Sequence, residues 1–372
     1  MSRHTAIDVI VVGGGPAGAS TAIACSSRGL RTLIVETNAR SSERPGETLH
    51  PGMETLFRSL GVHARVNEAN FLRHPGFNVK SRLKSGFEAY GSDQRGQWMG
   101  YQADRATLHE ILLDRASACG ALILRGEKAM RPILRAGKVE GLQTNAGTYL
   151  SKFVVDAAGH RQWLLHALGV PSIRISPPLT AHYGWIKPSD AMGSELGMPE
   201  FRMAGSTWEW RAPISPGRHA WVKLDLMDRR LDHRPGPPAP FADCIPLGRE
   251  GACDVTWKIA TPCAGPGYFM VGDAAWVLDP ASSHGVLKAV ISATVAGEAI
   301  VNTLYGSAKA GKQQAGYRAW MEAWFRADAA ALISVYSGME NPASWLSAAA
   351  ESLRKISIRS SAQAVSMSRT NS

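Results

Sequence analysis

The chain has 372 residues, 45% hydrophobic and 19% charged, which is ordinary for a globular protein and long enough for two closely packed parts. Its net charge of +10 arises from 41 Lys and Arg against 31 Asp and Glu. These basic residues are scattered, which argues against a nucleic-acid stripe and suits an anionic cofactor or an acidic partner.

Five widely spaced cysteines (Cys25, Cys119, Cys244, Cys253, Cys263) form no C-x-x-C pair or Cys/His cluster. Neither zinc nor a disulfide framework is expected, and Cys25 reads as core. No leader-like segment precedes Ile7 and no uninterrupted apolar run is long enough to span a membrane, so a cytoplasmic protein without a span is expected.

In chain order, Ile7 to Val12 is an apolar, β-branched run of buried-strand length. Gly13-Gly14-Gly15-Pro16-Ala17-Gly18 follows and fits G-x-G-x-x-G, then a small-residue helix to Gly29 and a second strand, Thr32 to Val35, ending in Glu36. Gly13 permits the tight turn, Gly15 lets a pyrophosphate touch the backbone, and Gly18 lets helix and strand pack closely. The helix N-terminus, from Pro16 and Ala17, offers N–H groups and a positive dipole end. Glu36, 18 residues past Gly18, is spaced to accept from ribose hydroxyls. Strand, glycines, helix, strand and acid in this order predict dinucleotide binding.

Thr37 to His50 is polar. Pro51 to Leu60 predicts a short helix stopped by Gly61, and Phe77–Leu83 with Phe87–Tyr90 predicts a hairpin around Lys84-Ser85-Gly86. Asp104 is a good N-cap for a helix carrying Leu108, Ile111, Leu112 and Ala116 at helical spacing. Strands are predicted at Ala121–Leu124, Pro132–Leu134, Val139–Thr144 and Lys152–Asp156. Between Ser172 and Pro262 strand-like pieces alternate with turns, and Trp185, Trp208, Trp210 and Trp221 fall within 37 residues. Asp228–Pro240, charged and proline-rich, predicts an exposed loop. A buried strand at Tyr268–Val271 leads to Gly272-Asp273-Ala274-Ala275. The chain from His284 on is expected to be helical, with a frayed serine-rich end.

Three separated motifs resemble the FAD-dependent aromatic monooxygenases of the para-hydroxybenzoate hydroxylase fold and their relatives, the flavin halogenases. They are Gly13–Gly18; Asp156-Ala157-Ala158-Gly159, where the family has Asp-Gly; and Gly272-Asp273 followed by Asp279-Pro280 and Gly285. The resemblance implies an α/β (α+β) fold. Its Rossmann-like FAD-binding domain would comprise 1–75, 100–170 and 262–306, with an inserted β-sheet substrate domain at 76–99 and 171–261 and C-terminal helices at 307–372. It implies that Asp273 holds the ribityl chain of FAD, and that Pro280, Gly285 and Val286 wrap the flavin ring. Gly159 would also contact the cofactor, as would Arg44 and Arg105, although Arg105 also has Asp104 and Glu110 as ion-pair partners nearby in sequence. With no second G-x-G-x-x-G, electrons are expected from NAD(P)H, through transient docking or a separate flavin reductase, with O2 as co-substrate.

Gly46-Glu47-Thr48-Leu49-His50-Pro51 and Leu278–Leu287 look most like flavoproteins that hydroxylate a peptidyl tryptophan while maturing tryptophan-derived quinone cofactors. That likeness implies hydroxylation of an electron-rich aromatic ring, in a small molecule or a tryptophan-containing peptide, through a flavin C4a-hydroperoxide. His50 and His284 are the candidate acid and base, and Glu47 is a candidate for catalysis or for ordering its loop. Trp208-Glu209-Trp210-Arg211-Ala212-Pro213 resembles the halogenases' W-x-W-x-I-P, with Ala212 and Thr207 as departures. Trp208 and Trp210 share one strand face, as sheet core or as the wall of a substrate cavity. Halogenation requires a lysine near Phe77 or Asn78, and Lys80, two residues on from Asn78, keeps the same face. A third expectation, a double-bond reductase of the geranylgeranyl type, requires an aliphatic cavity.

Overall fold

The protein is described by a computed structural model covering residues 7–39, 47–188, 197–227, 236–238, 241–306 and 309–356. Arg44, much of the expected loop at 228–240 and the serine-rich end lie outside the described residues.

Ile7–Val12 is the centre of a parallel sheet. Thr32–Glu36 and then Leu122–Arg125 lie on one side, and Thr148–Asp156 and then Tyr268–Met270 on the other. Val9 to Val11, Ile34 and Val155 are almost completely buried, as near-continuous β-branched runs require when a sheet is covered on both faces. The first half of Thr148–Asp156 also closes an antiparallel meander with Lys138–Thr144 and Ala129–Arg135. Because the five central strands are parallel, their carboxyl ends share one edge. Gly13, Glu36, Ala157 and Gly272, which are far apart in sequence, meet there.

The tryptophan-rich middle region forms a second sheet. Its strands run in the order Ile245–Pro246, Thr180–Lys187, Arg218–Asp225, Thr207–Ser215, Glu200–Ala204, Gly76–Lys80 and Ser85–Ala89. The expected hairpin therefore belongs to this sheet, joined through a parallel pairing of Glu200–Arg202 with Asn78–Lys80. A small sheet of Glu47–Leu49, Gly100–Ala103 and Leu72–His74 lies between the two.

Helix Pro16–Ser26 packs on helix Gly285–Tyr305 so closely that a Cβ on Gly297 would lie 2.7 Å from Ala24 Cβ. Gly285–Tyr305 is long and apolar enough to cross a membrane by length and composition, yet half of its apolar stretch is buried within the protein. Helix Ala310–Ser337 docks on the strand edge through Gln314 to the Gly265 carbonyl (2.6 Å), Tyr317 to Met270 (2.8 Å) and Arg318 to Ala264 (3.0 Å). A last helix begins at 345 and reaches 356, the final described residue.

Asp8 pins the sheet laterally. Its buried carboxylate accepts from the Arg31 backbone N–H and guanidinium at 3.0–3.1 Å and pairs with Lys152 at 3.0 Å. The Arg31 guanidinium, outweighing burial, holds Asp8 well below the ordinary carboxylate range. A group with a depressed folded-state value stabilises above its unfolded value and loses that contribution as pH falls toward the folded one. Asp8→Asn is therefore expected to lower stability by about 1–2 kcal/mol near neutrality, its partners being half exposed. In urea melts, that deficit should shrink as pH drops below about 4.

Candidate functional site

One cavity of about 1010 Å³ runs from the strand ends to the inner face of the second sheet. Gly13, Gly15, Pro16, Ala17 and Glu36 line its nucleotide end, and Gly159, Asp273 and Arg105 line its middle. Pro280, Gly285 and Val286 border the part between the sheets. Sequence reasoning named all of these.

The glycines divide into two kinds. Gly13, at φ +99°, lies against Ala157, where a Cβ would come within 2.6 Å of the carbonyl oxygen. Gly18 abuts the Gly13 carbonyl, and Gly272 (φ +57°) abuts Ala17. These close protein on protein. Gly15, Gly159 and Gly285 instead have no atom within 4 Å of the Cβ they lack and face the cavity. That open backbone at a helix N-terminus without a side-chain cap is what a pyrophosphate needs. At the same end His109 Nε2 is buried without a hydrogen-bond partner among the described residues. An incoming nucleotide would satisfy it. The lining fits FAD.

The carboxylates play different parts. Glu36 accepts from Gly14 N–H (2.6 Å) and Asn38 N–H (2.8 Å), so it orders the glycine turn as well as bordering the cavity. Asp156, in the altered second motif, accepts from Ala158 N–H (2.9 Å) and Leu164 N–H (2.7 Å) and holds the chain turn there. Burial pushes its carboxyl up to about 6 despite these donors. Asp279 accepts from Trp257 Nε1 (2.8 Å), Tyr336 OH (2.6 Å) and Ala281 N–H (3.0 Å), and burial pushes it up to about 6 too.

His50 and His284 both line the cavity, and His284 is near enough to act on the charge of His50. His50 Nδ1 accepts from Gly52 N–H at 3.0 Å, so the neutral ring carries its proton on Nε2. Burial, with the nearby His284 adding to it, holds His50 below the ordinary imidazole value. His284 Nδ1 lies 2.8 Å from Asp328 Oδ2, which accepts the Nδ1–H, so that in the neutral ring Nε2 is the acceptor. One histidine is set to donate and the other to accept. Asp328 comes from helix Ala310–Ser337, and no local pattern ties it to His284, 44 residues earlier.

Phe77, Val79, Tyr183, Phe201 and Trp210 line the substrate side. Trp210 packs on Phe77 with centroids 5.7 Å apart and donates its indole N–H to Thr48 Oγ1 at 3.0 Å. Thr48 in turn donates to Gln102 at 2.9 Å, tying the loop that bears His50 to the cavity wall. Trp208 is fully buried and lies on the same side. Both tryptophans thus serve as core and as wall.

The expectation for Lys80 needs correction. Strand alternation puts Phe77 and Val79 toward the cavity and Asn78 and Lys80 on the opposite face. There Lys80 pairs with Glu200 at 2.9 Å, and it is not among the cavity-lining residues. Lys84, at the exposed hairpin turn, does line the mouth, paired with Glu88. Glu47 pairs through its backbone with Ala103, and its side chain lies outside the described residues.

Substitution of the two kinds of glycine separates binding from folding. Gly15→Val points into the cavity and is expected to lower bound FAD at least tenfold with an unchanged melting temperature. Gly18→Val drives a side chain into the Gly13 carbonyl and should cost about 1–3 kcal/mol of stability. Flavin absorbance of the purified variants and their thermal melts check both.

Comparison with known proteins agrees with this geometry. The chain is 26% identical over 337 residues to a 1H-pyrrole-2-carbonyl-(peptidyl-carrier protein) brominase of Pseudoalteromonas luteoviolacea, spanning 82% of this chain and 80% of that one. It is 25% identical over 362 residues to the digeranylgeranylglycerophospholipid reductase of Thermoplasma volcanium, spanning 82% of each. Its fold matches the myxobacterial chondrochloren halogenase CndH with a TM-score of 0.80 at 20% identity, over 92% of this chain and 86% of that one. Residues 6–186 match the FAD binding domain family, and the glycine cradle lies within that segment.

Proposed function

We propose that this flavoprotein hydroxylates an electron-rich aromatic ring, with a tryptophan side chain in a peptide as the leading substrate. The observation that carries the reading is the pairing of an aromatic wall (Phe77, Phe201, Trp210) with two histidines of opposite proton roles in one cavity. Bound FAD, reduced with electrons from NAD(P)H, supplies an electrophilic oxygen atom from O2, and the second oxygen leaves as water.

The chain's own residues do the rest. The aromatic wall offers apolar, edge-and-face contacts to a flat ring and keeps water from it. When oxygen adds to such a ring, the carbon attacked must shed its proton. His284 Nε2 is the group positioned to take it, with Asp328 stabilising the imidazolium that results. His50 Nε2–H donates where negative charge develops on the leaving oxygen. Thr48 keeps His50 in place through its bonds to Trp210 and Gln102.

Halogenation is the second reading. It is supported by the Trp208–Trp210 stretch on the cavity wall and by the brominase likeness. The outward face of Lys80 weighs against it, and Lys84 is the lysine of this hairpin that would have to serve. The reductase reading asks for an aliphatic lining; it is supported by the likeness to the Thermoplasma volcanium reductase and by Val79, Leu83, Val222, Leu332 and Val335 on the cavity wall, while Phe77, Phe201 and Trp210 weigh against it.

The decisive experiment supplies the FAD-loaded protein with NADH, a flavin reductase, oxygen and chloride, and offers a tryptophan-containing peptide from a quinoprotein. Intact mass of the peptide is the readout. Added oxygen supports hydroxylation; added chlorine moves halogenation first; an unchanged peptide rejects that substrate. With a substrate in hand, His284→Ala is expected to cut product formed per NADH by about 10²–10⁴. Asp328→Asn should cut it less. Full activity in His284→Ala would remove it as the base.

A further inference from the structure

Lys288 is the fourth residue of helix Gly285–Tyr305, and its side chain is only 4% exposed. Both facts ask for a cause. A buried ammonium is costly unless paired and hydrogen-bonded, and the first turn of a helix is the end where a cation is disfavoured. Its three donors are nonetheless accounted for. Nζ lies 2.6 Å from Asp273 Oδ1 and donates to the Trp276 carbonyl at 2.8 Å. It also sits 4.0 Å from the centroid of the Trp276 ring, within cation–π range.

The two members of the ion pair face different surroundings. The Asp273 side chain is 46% exposed and borders the cavity, whereas the ammonium behind it is closed off. Two other charged groups act on Asp273: His160 from the turn Gly159–Arg161 and Arg105 from the start of helix Arg105–Ala118. Burial works against the ionised carboxyl. Lys288 first, then His160 and Arg105, more than offset it and hold Asp273 below the ordinary carboxylate value. An entering cofactor removes water from the exposed side of Asp273 and so raises the cost of its charge. A protonated carboxyl would then give up acceptor capacity toward hydroxyl groups.

We propose that Lys288 is a positioning residue for the cofactor: it keeps the Asp273 carboxylate charged and aimed into the cavity as FAD enters and displaces water. The proposal rests on the FAD reading of the cavity. It makes the helix-start lysine part of the binding site although Asp273 is the group that meets the ligand. Without the ammonium, Asp273 takes up a proton as pH falls, and FAD affinity falls with it.

The test is FAD titration of apo-protein, followed by flavin fluorescence at about pH 8 and about pH 5, where FAD's pyrophosphate does not change charge. Lys288→Met and Lys288→Gln remove the charge, and the glutamine retains a donor for the Trp276 carbonyl. Each should weaken FAD binding relative to wild type by about tenfold more at the lower pH than at the higher. Lys288→Arg should restore the wild-type profile. Asp273→Asn should weaken binding equally at both pH values, and adding Lys288→Gln to it should restore no pH dependence. An equal loss at both pH values in the neutral variants, or failure of arginine to rescue, overturns the proposal and leaves a packing role. A wild-type chain that binds no FAD at either pH overturns the cofactor reading itself.

Discussion

A buried carboxylate joins the parts of this molecule that must act together. Asp279 is completely buried and accepts from Trp257 in the middle region, Tyr336 in the long C-terminal helix and the backbone of its own loop. Burying that group is costly, as the rise of its carboxyl to about 6 shows. Three donors offset much of the cost. Each comes from a different stretch of chain, so the carboxylate is fully satisfied only when its own loop, the Trp257 segment and the helix have all docked. Trp257 also packs edge-on against Trp345, at 5.2 Å between centroids, which brings the last helix into the same cluster.

That docking has a chemical consequence. The helix that delivers Tyr336 to Asp279 also delivers Asp328 to His284, two turns earlier on the same helix. The proton role of His284 therefore depends on the same packing that closes the cavity. His50 gets the opposite role from its own loop, through the Gly52 N–H. Two identical side chains acquire different hydrogen-bonding roles because one nitrogen of each is already engaged. Lys288 follows the same logic, since its partners Asp273 and Trp276 sit on the segment that closes the flavin site.

Much of this was legible in the sequence because it is local. The apolar run Ile7–Val12, the glycines after it, the Asp104 cap and the acid at Glu36 are short-range patterns with short-range physical causes. The run, glycines and acid predicted a dinucleotide cradle, and Gly13, Gly15 and Glu36 line one end of the cavity. Glu36 showed the limit of the inference: spacing predicted a ribose acceptor, and the carboxylate also fastens the Gly14 turn. Lys80 showed another. Period-two reasoning kept it on the face of Asn78 correctly, but which face looks inward is decided by what packs on the sheet.

The sequence by itself pointed to a dinucleotide cradle, to companion motifs far along the chain from its glycines, and to a sheet in the middle region. Tertiary structure alone decided which side chains meet in the cavity. Asp328 with His284, Trp210 with Thr48 and Tyr336 with Asp279 are separated by 44, 162 and 57 residues. The physical reason is that proton roles, buried charges and cavity walls depend on distances between groups brought together only by folding, and no periodicity along a chain encodes them.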